Sequence, residues 1–349
     1  PHELTSRLDH LRGGIAVIAV ADEPFTEPCP LPERLRALAA AGCVAAVAVE
    51  QRAGGHIETL RATDKRWNAR AGDVLPHPLP SVQTHREDGA RLRRAAGETM
   101  EIAVDSKAFT SACFNSVADL PGQSWPDETL ILGSHQDTYM DSPGAVDNGS
   151  GLAVMLETMR LLAALENEFG ISPGIGIRAC AWSGEEQNHQ GSAAYVRQHY
   201  GTENKPRLVV NLDELAAGPI KGMVLQFPNL QSLVQHTLDS LDEGLRCHVM
   251  PTLDHFNDGF SFARSAIPYA ILWRWRFVGR HPDSDFRAES WDTVDKVRVR
   301  ELKEYAAYLA RMLIRLAQVA PDDWPDMPET EASVQARLER EIGQVARTM

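Results

Sequence analysis

The residues best suited to chemistry are two histidines, His135 and His281, and five acids, Asp137, Asp147, Glu185, Glu186 and Asp213. Imidazole nitrogen and carboxylate oxygen together suit zinc, and also cobalt or manganese. Two such ions about 3.5–4 Å apart need a bridging ligand, and a carboxylate brings two oxygens to that task. Asp147 is the natural bridge. Asp137 stands just beyond His135, where it can accept the second ring N–H and fix the tautomer. Glu185 and Glu186 are adjacent, so their side chains diverge. One can ligate while the other stays beside the metal as a general base, with a pKa raised by burial. Such a set points to a metal-bound water with a general base beside it.

Most of these residues follow an apolar run of strand length. Residues 129–133 lead into Ser134-His135-Gln136-Asp137, and residues 176–182 into Ser183-Gly184-Glu185-Glu186. Residues 207–212 lead into Asp213-Glu214, and residues 267–275 precede Arg280-His281. Asp147 lies in a loop, 141–150, that opens a helix. Apolar residues at helical spacing predict helices over 149–165, 192–199, 230–241 and 297–319, with a further strand at 223–227. The alternation predicts an α/β fold, a mixed and mostly parallel sheet with helices on both faces. In such sheets ligands bind beyond the carboxyl ends of the strands. Upstream, strands at 14–20 and 44–49, helices at 31–41 and 87–96 and a strand at 100–104 predict a second, small α/β unit. The expected divisions are 10–105, 106–320 and a tail, 321–349. The tail carries a charged helix at 329–347 that reads as peripheral; it either completes the larger unit or mediates assembly into a homo-oligomer.

The chain has 349 residues with a net charge of -13, which excludes nucleic-acid binding through a basic surface. It holds no run of about 18 apolar residues, so no membrane span is expected. Pro1-His2-Glu3-Leu4 lacks the basic and apolar parts of a signal peptide. Cys29, Cys43, Cys113, Cys180 and Cys247 are scattered and form no CxxC pair, as expected of free thiols in a reducing compartment. A cytoplasmic location is therefore expected over secretion. Other active-site types fit poorly. Gly149-Ser150-Gly151 opens a helix and is not a nucleophile elbow. Gly174-Ile175-Gly176 is too short for a dinucleotide fingerprint.

Four motifs in order carry a resemblance: Gly133-Ser134-His135-Gln136-Asp137; Pro143-Gly144-Ala145-Val146-Asp147-Asn148-Gly149-Ser150-Gly151; Trp182-Ser183-Gly184-Glu185-Glu186 with Gly191-Ser192; and Asn211-Leu212-Asp213. They are similar to the successive motifs of the di-zinc aminopeptidase family, which includes bacterial leucyl aminopeptidases and glutamate carboxypeptidases. The resemblance covers residues 110–319. It implies that His135 and Asp213 hold one metal, that Glu186 and His281 hold the other, and that Asp147 bridges them. It implies that Glu185 takes the proton of the bridging water and passes it to the leaving amine. It also implies a cis peptide bond between Asp147 and Asn148. One segment departs from the family pattern of His, three residues, then Asp-Thr: Asp292-Thr293 is present, position 288 is Ala, and His281 stands seven residues earlier. Residues 33–47 followed by Leu79-Pro80-Ser81-Val82 loosely resemble the protease-associated domain, which implies a lid or gating module for 10–105.

The function expected is that of a metal-dependent exopeptidase, aminopeptidase-like, acting on peptides or small amides. The alternative is a carboxypeptidase or amidohydrolase whose substrate carries a carboxylate. Arg274, Arg276 and Arg280, just before His281, would bind that carboxylate. They would equally serve as salt-bridge partners for the chain's many acids. His255 matches a family position near the site and is read as supporting a ligand or contacting substrate. His189 is read as loop filler or substrate contact. A metal-free binding protein and a single-zinc cyclase on the same fold complete the alternatives.

Overall fold

The computed structural model describes residues 8–20, 31–57, 63–64, 75–105, 107, 109, 111–200, 204–215, 218–274 and 289–348. The chain opens with α1 (Leu8–Leu11), β1 (Ile15–Ala19), α2 (Leu31–Ala40) and β2 (Ala45–Val49). The two-residue strands β3 (Thr63–Asp64) and β4 (Leu75–Pro76) follow, then β5 (Ser81–Thr84) and α3 (Arg86–Arg94). β1, β2 and β5 form a three-stranded parallel sheet. Leu35 and Leu38 of α2 pack on Ala16, Ala46 and Leu79 to make its small core. The strand expected at 100–104 does not form. Val104 is half exposed there, so the apolar positions of that stretch have no packed surface to complete.

The larger unit runs β6 (Ser116–Leu120), β7 (Trp125–His135), α4 (Ser150–Phe169), β8 (Ile175–Trp182), α5 (Gln190–His199), β9 (Leu208–Leu212) and β10 (Ile220–Leu225). It continues through α6 (Gln231–Asp239), β11 (Arg246–Val249), α7 (Gly259–Ala263), β12 (Tyr269–Arg274), α8 (Val299–Leu316) and α9 (Glu331–Thr348). Seven strands form one sheet in the order β11-β10-β12-β9-β7-β8-β6. The pairs β6–β8 and β10–β12 are antiparallel, and the other four are parallel.

Side chains alternate across this sheet. Leu130 and Leu132 point into one apolar cluster with Val154 and Met155 of α4 and Leu309 and Leu313 of α8. Ile131, between them, points into a second cluster with Tyr195 of α5 and Phe260 and Phe262 of α7. Helices therefore cover both faces. The second cluster also holds Val334 and Leu338 of α9, so the C-terminal helix is part of the core and not peripheral. Arg337 adds hydrogen bonds to the carbonyls of Gln226 and Pro251, and Glu341 accepts from Leu253 N. Among the described residues, no helix is long and apolar enough to cross a membrane. Cys43, Cys113, Cys180 and Cys247 are free thiols, and Cys29 lies outside the described residues.

The register at the middle of the sheet is what positions the site. His135, the last residue of β7, pairs with Trp182, the last of β8, and Ser134 pairs with Leu212, the last of β9. Three adjacent parallel strands thus end at one level.

Candidate metal centre

The side chains that leave those strand ends meet around one imidazole. His135 is 1% exposed. Its Nε2 lies 3.0 Å from Asp147 Oδ1 and 3.3 Å from Asp213 Oδ1. Glu185 and Glu186 approach it from the β8 side. Two triples form, His135–Asp147–Asp213 and His135–Glu185–Glu186, with one ligand atom from each member within 4.8 Å of the others. The sequence-derived residues His135, Asp147, Glu185, Glu186 and Asp213 are therefore in one place.

Asp137 differs from expectation. The His135 Nδ1 nitrogen meets the backbone carbonyl of Asp137 at 3.0 Å, and the Asp137 carboxylate lies farther away, at 3.6 Å. That carboxylate instead accepts from the backbone N–H groups of Glu185, at 3.2 Å, and Glu186, at 3.3 Å. Two amide donors on one turn hold a carboxylate better than a single ring N–H shared with a carbonyl. Asp137 thus anchors the backbone that carries the glutamate pair.

The loop bearing Asp147 is held from both sides. Val146 N and Asp147 N donate to the two oxygens of Asp292, at 2.7 and 3.0 Å. The Asp147 carbonyl accepts from Thr138 Oγ1. The Asp147–Asn148 peptide bond is cis, as the resemblance implied. Asn148 then stitches the loop to two strands: Nδ2 donates to Ser134 Oγ and the Leu212 carbonyl, and Oδ1 accepts from Gly151 N and Glu214 N. This close approach requires Gly151. A Cβ there would stand 2.4 Å from Asn148 Oδ1 and 2.7 Å from the Leu212 carbonyl. Gly151→Ala is expected to destabilise the protein by about 1–3 kcal/mol, the usual range for overpacking. A shift of the urea midpoint at constant slope is the check; an unchanged midpoint would show that the loop yields freely.

The electrostatics ask for a cation. Burial pushes the Asp213 carboxyl up to about 7, against the pull of His135 and with the help of Asp147 and Glu185. Burial also raises Asp147, and the charges of Glu214 and Glu185 add to it. Burial lowers His135, and the surrounding carboxylates, Asp213 first, more than reverse this. The largest charge effects on Asp147 and Asp213 come from His135 and from other carboxylates, none from Lys or Arg. His135 Nε2 and Asp213 Oδ1 are buried and make no hydrogen bond. Buried acids crowded on one imidazole, with ligand atoms left unsatisfied, are the donor set a zinc ion takes.

His281, Arg276 and Arg280 lie outside the described residues. Arg274 ends β12 opposite Ile220, and its side chain lies outside them as well. His255 stacks on Phe256, with ring centroids 4.2 Å apart, and faces Phe260, which in turn faces His189. Two features escaped sequence reasoning. Asp292 was recognised only as part of an Asp-Thr pair, and the hydrogen bonds that give it a role reach back to residues 146 and 147. Asp258 is 1% exposed and carries no motif signal; burial pushes its carboxyl well up, and the Glu185 charge pushes it further.

The sequence profile of peptidase family M28 matches residues 115–312. The chain belongs to this family. The M28 match includes the five clustered residues and Asp292. Among curated relatives, the M28 chain is 27% identical to carboxypeptidase Q of Xenopus laevis over 152 residues, covering 42% of this chain and 31% of that protein. It is 29% identical to a probable leucine aminopeptidase 2 of Aspergillus oryzae over 211 residues, covering 59% of this chain and 38% of that one. The chain thus spans about a third of the length of these relatives. Its M28 fold is similar to that of a peptidase M28 precursor from Shewanella amazonensis, with a TM-score of 0.70, 18% identity, and coverage of 94% of this chain and 74% of that one. A zinc aminopeptidase from Bacillus subtilis gives a TM-score of 0.63 at 18% identity, with coverage of 93% and 76%.

Proposed function

We propose that this chain is a metal-dependent exopeptidase of the aminopeptidase type, holding two zinc ions through His135, Asp147, Glu186, Asp213 and His281. The observation that carries the reading is the gathering of four carboxylates around His135, three beyond the ends of adjacent strands and Asp147 from the loop before α4. The triple His135–Asp147–Asp213 supports one ion; the second would rest on Glu186, His281 and the other oxygen of Asp147. When bound, such ions supply Lewis acidity toward water and toward the scissile carbonyl. Glu185 accepts the proton of the attacking water and delivers it to the leaving amine. Asp137 keeps the Glu185–Glu186 backbone fixed, and Asp292 and Asn148 do the same for Asp147. The preference for an N-terminal residue rests on the motif resemblance to aminopeptidases, supported by the similarity to a probable leucine aminopeptidase 2.

A second reading keeps the chemistry and changes the substrate. Arg274, Arg276 and Arg280 precede His281 in sequence, and similarity extends to a protein named carboxypeptidase Q as well as to one named leucine aminopeptidase. A carboxylate-bearing substrate would use these arginines.

The test combines metal content per chain with a panel of aminoacyl-anilides and N-acylated amino acids. Two zinc ions, cleavage of the anilides and loss of activity on chelation are expected. Glu185→Gln should keep its metal and lose about 10²–10⁴ in kcat, the range for general acid–base catalysis. Cleavage of the N-acylated acids alone would transfer the conclusion to the second reading. A zinc-loaded protein that hydrolyses neither set would leave a binding protein.

A further inference from the structure

The turn between β8 and α5 wraps around Glu185. Asn188 N and His189 N both donate to the Glu185 carbonyl, at 2.8 and 3.0 Å. To do so the turn places two consecutive non-glycine residues in the left-handed region, Asn188 at φ 82° and His189 at φ 57°. Non-glycine residues are uncommon in that region, although Asn and His tolerate it better than most.

His189 is also the residue that caps α5 at its N-terminus, and its side chain makes no capping hydrogen bond. Caps are ordinarily Ser, Thr, Asp, Asn or Gly. The ring instead turns back on the base: Nε2 lies 3.0 Å from Glu185 Oε1, a close polar contact whose angles fall short of a hydrogen bond, with both side chains only 6% exposed. The edge of Phe260 stands against the ring, with centroids 6.3 Å apart. The His189 backbone is pinned as well: its carbonyl accepts from Ser192 Oγ, and that hydroxyl lies 2.9 Å from Ser261 Oγ, from which it can accept in turn. A ring buried to this degree has almost no surface for a substrate, so of the two roles open from sequence, loop filler and substrate contact, neither describes it.

We infer that His189 is a positioning residue for Glu185, fixing the base through the Nε2–Oε1 contact. The inference rests on Glu185 being the base, as proposed above. Glu185 shares its surroundings with the acids Asp147, Asp213 and Asp258. An untethered carboxylate among these groups has several orientations open to it, and His189 holds it in one.

The experiment uses the zinc-loaded full chain and the better anilide substrate. His189→Leu should lower kcat by about 10- to 100-fold, the loss a misplaced catalytic group brings, with KM within about twofold and metal content unchanged. His189→Gln, which keeps an N–H donor, should recover most of the rate. In a Glu185→Gln background, His189→Leu should cause no further loss, because the partner it serves is gone. The ring resonances of His189 should move on Glu185→Gln whether or not zinc is loaded. A His189→Leu enzyme with wild-type kcat overturns the inference, and so does an equal loss in both backgrounds. Full activity in Glu185→Gln alone would overturn the reading beneath it, a distinguishable result.

Discussion

Asp147→Ala is expected to bring hydrolysis to the detection floor and to leave a chain that retains no metal after dialysis. Asp147 is the bridging ligand of the proposal above, and its loop is tied by hydrogen bonds to β7, β9 and Asp292. Truncation removes the bridging oxygens and leaves that frame in place. The effect should therefore be a loss of metal and not of fold. The sign of the stability change makes this checkable. Burial raises the Asp147 carboxyl above its ordinary value, so its ionised form opposes folding above the unfolded pKa. The metal-free variant should melt no lower than the metal-free wild type. Zinc should then raise the wild-type melting temperature by linkage and leave the variant unmoved. A variant that melts lower without zinc, or that still gains from zinc, would show that Asp147 serves the fold and not the metal.

Arg52→Ala is expected to cost about 3–5 kcal/mol of stability, the range for breaking a buried ion pair by removing one partner. Arg52 lies in the smaller unit, with a side chain 8% exposed. It bonds Glu50 Oε2 at 2.8 Å and Glu289 Oε1 at 3.0 Å, and His56 meets the other Glu289 oxygen at 3.0 Å. Without the guanidinium, the buried carboxylates of Glu50 and Glu289 lose their shared cation. Burial pushes Glu50 up, and the hydrogen bonds and charge of Arg52 outweigh it and hold it below the usual carboxylate range. A depressed carboxyl contributes stability that is present above its unfolded pKa and lost as pH falls through its folded pKa. The deficit of Arg52→Ala should accordingly be full at pH 7 and shrink in acid. Denaturant midpoints at about pH 7 and about pH 4 measure both values; an equal deficit at the two would assign the loss to packing. The same variant should weaken zinc affinity, because Glu289 lies three residues before Asp292, which holds the Asp147 loop.

The readable parts of this chain were those in which a side-chain pattern and a local periodicity coincide. Residues 129–133, 176–182 and 207–212 were legible as strands because both faces of a central parallel strand are buried and the run is unbroken. The polar residues after them were legible as a site because they end such runs. β6 was missed because four of its five residues are exposed at the sheet edge, where no apolar signal is required. Met100 to Val104 erred the other way, since an apolar alternation predicts a strand only if a partner surface exists. The helix 329–347 reads as charged along most of its length, and Val334 and Leu338, buried among its described side chains, do not by themselves announce the contact. The Asp137 role turned on backbone donors from residues 185 and 186, and that of Asp292 on donors from 146 and 147. Such bonds join segments far apart in the chain through groups every residue possesses, so composition and spacing carry no trace of them.

The level ending of β7, β8 and β9 has a consequence for when the centre comes into being. Parallel neighbours need crossovers, so the pairs His135–Trp182 and Ser134–Leu212 close long stretches of chain. Pairings of that kind form late, after local helices and turns. A nascent chain halted before Leu212 has synthesised His135, Asp147 and the glutamate pair but cannot yet bring Asp213 to them. The centre is thus a product of folding and no seed for it, and metal captured there reports that β7, β8 and β9 have come together.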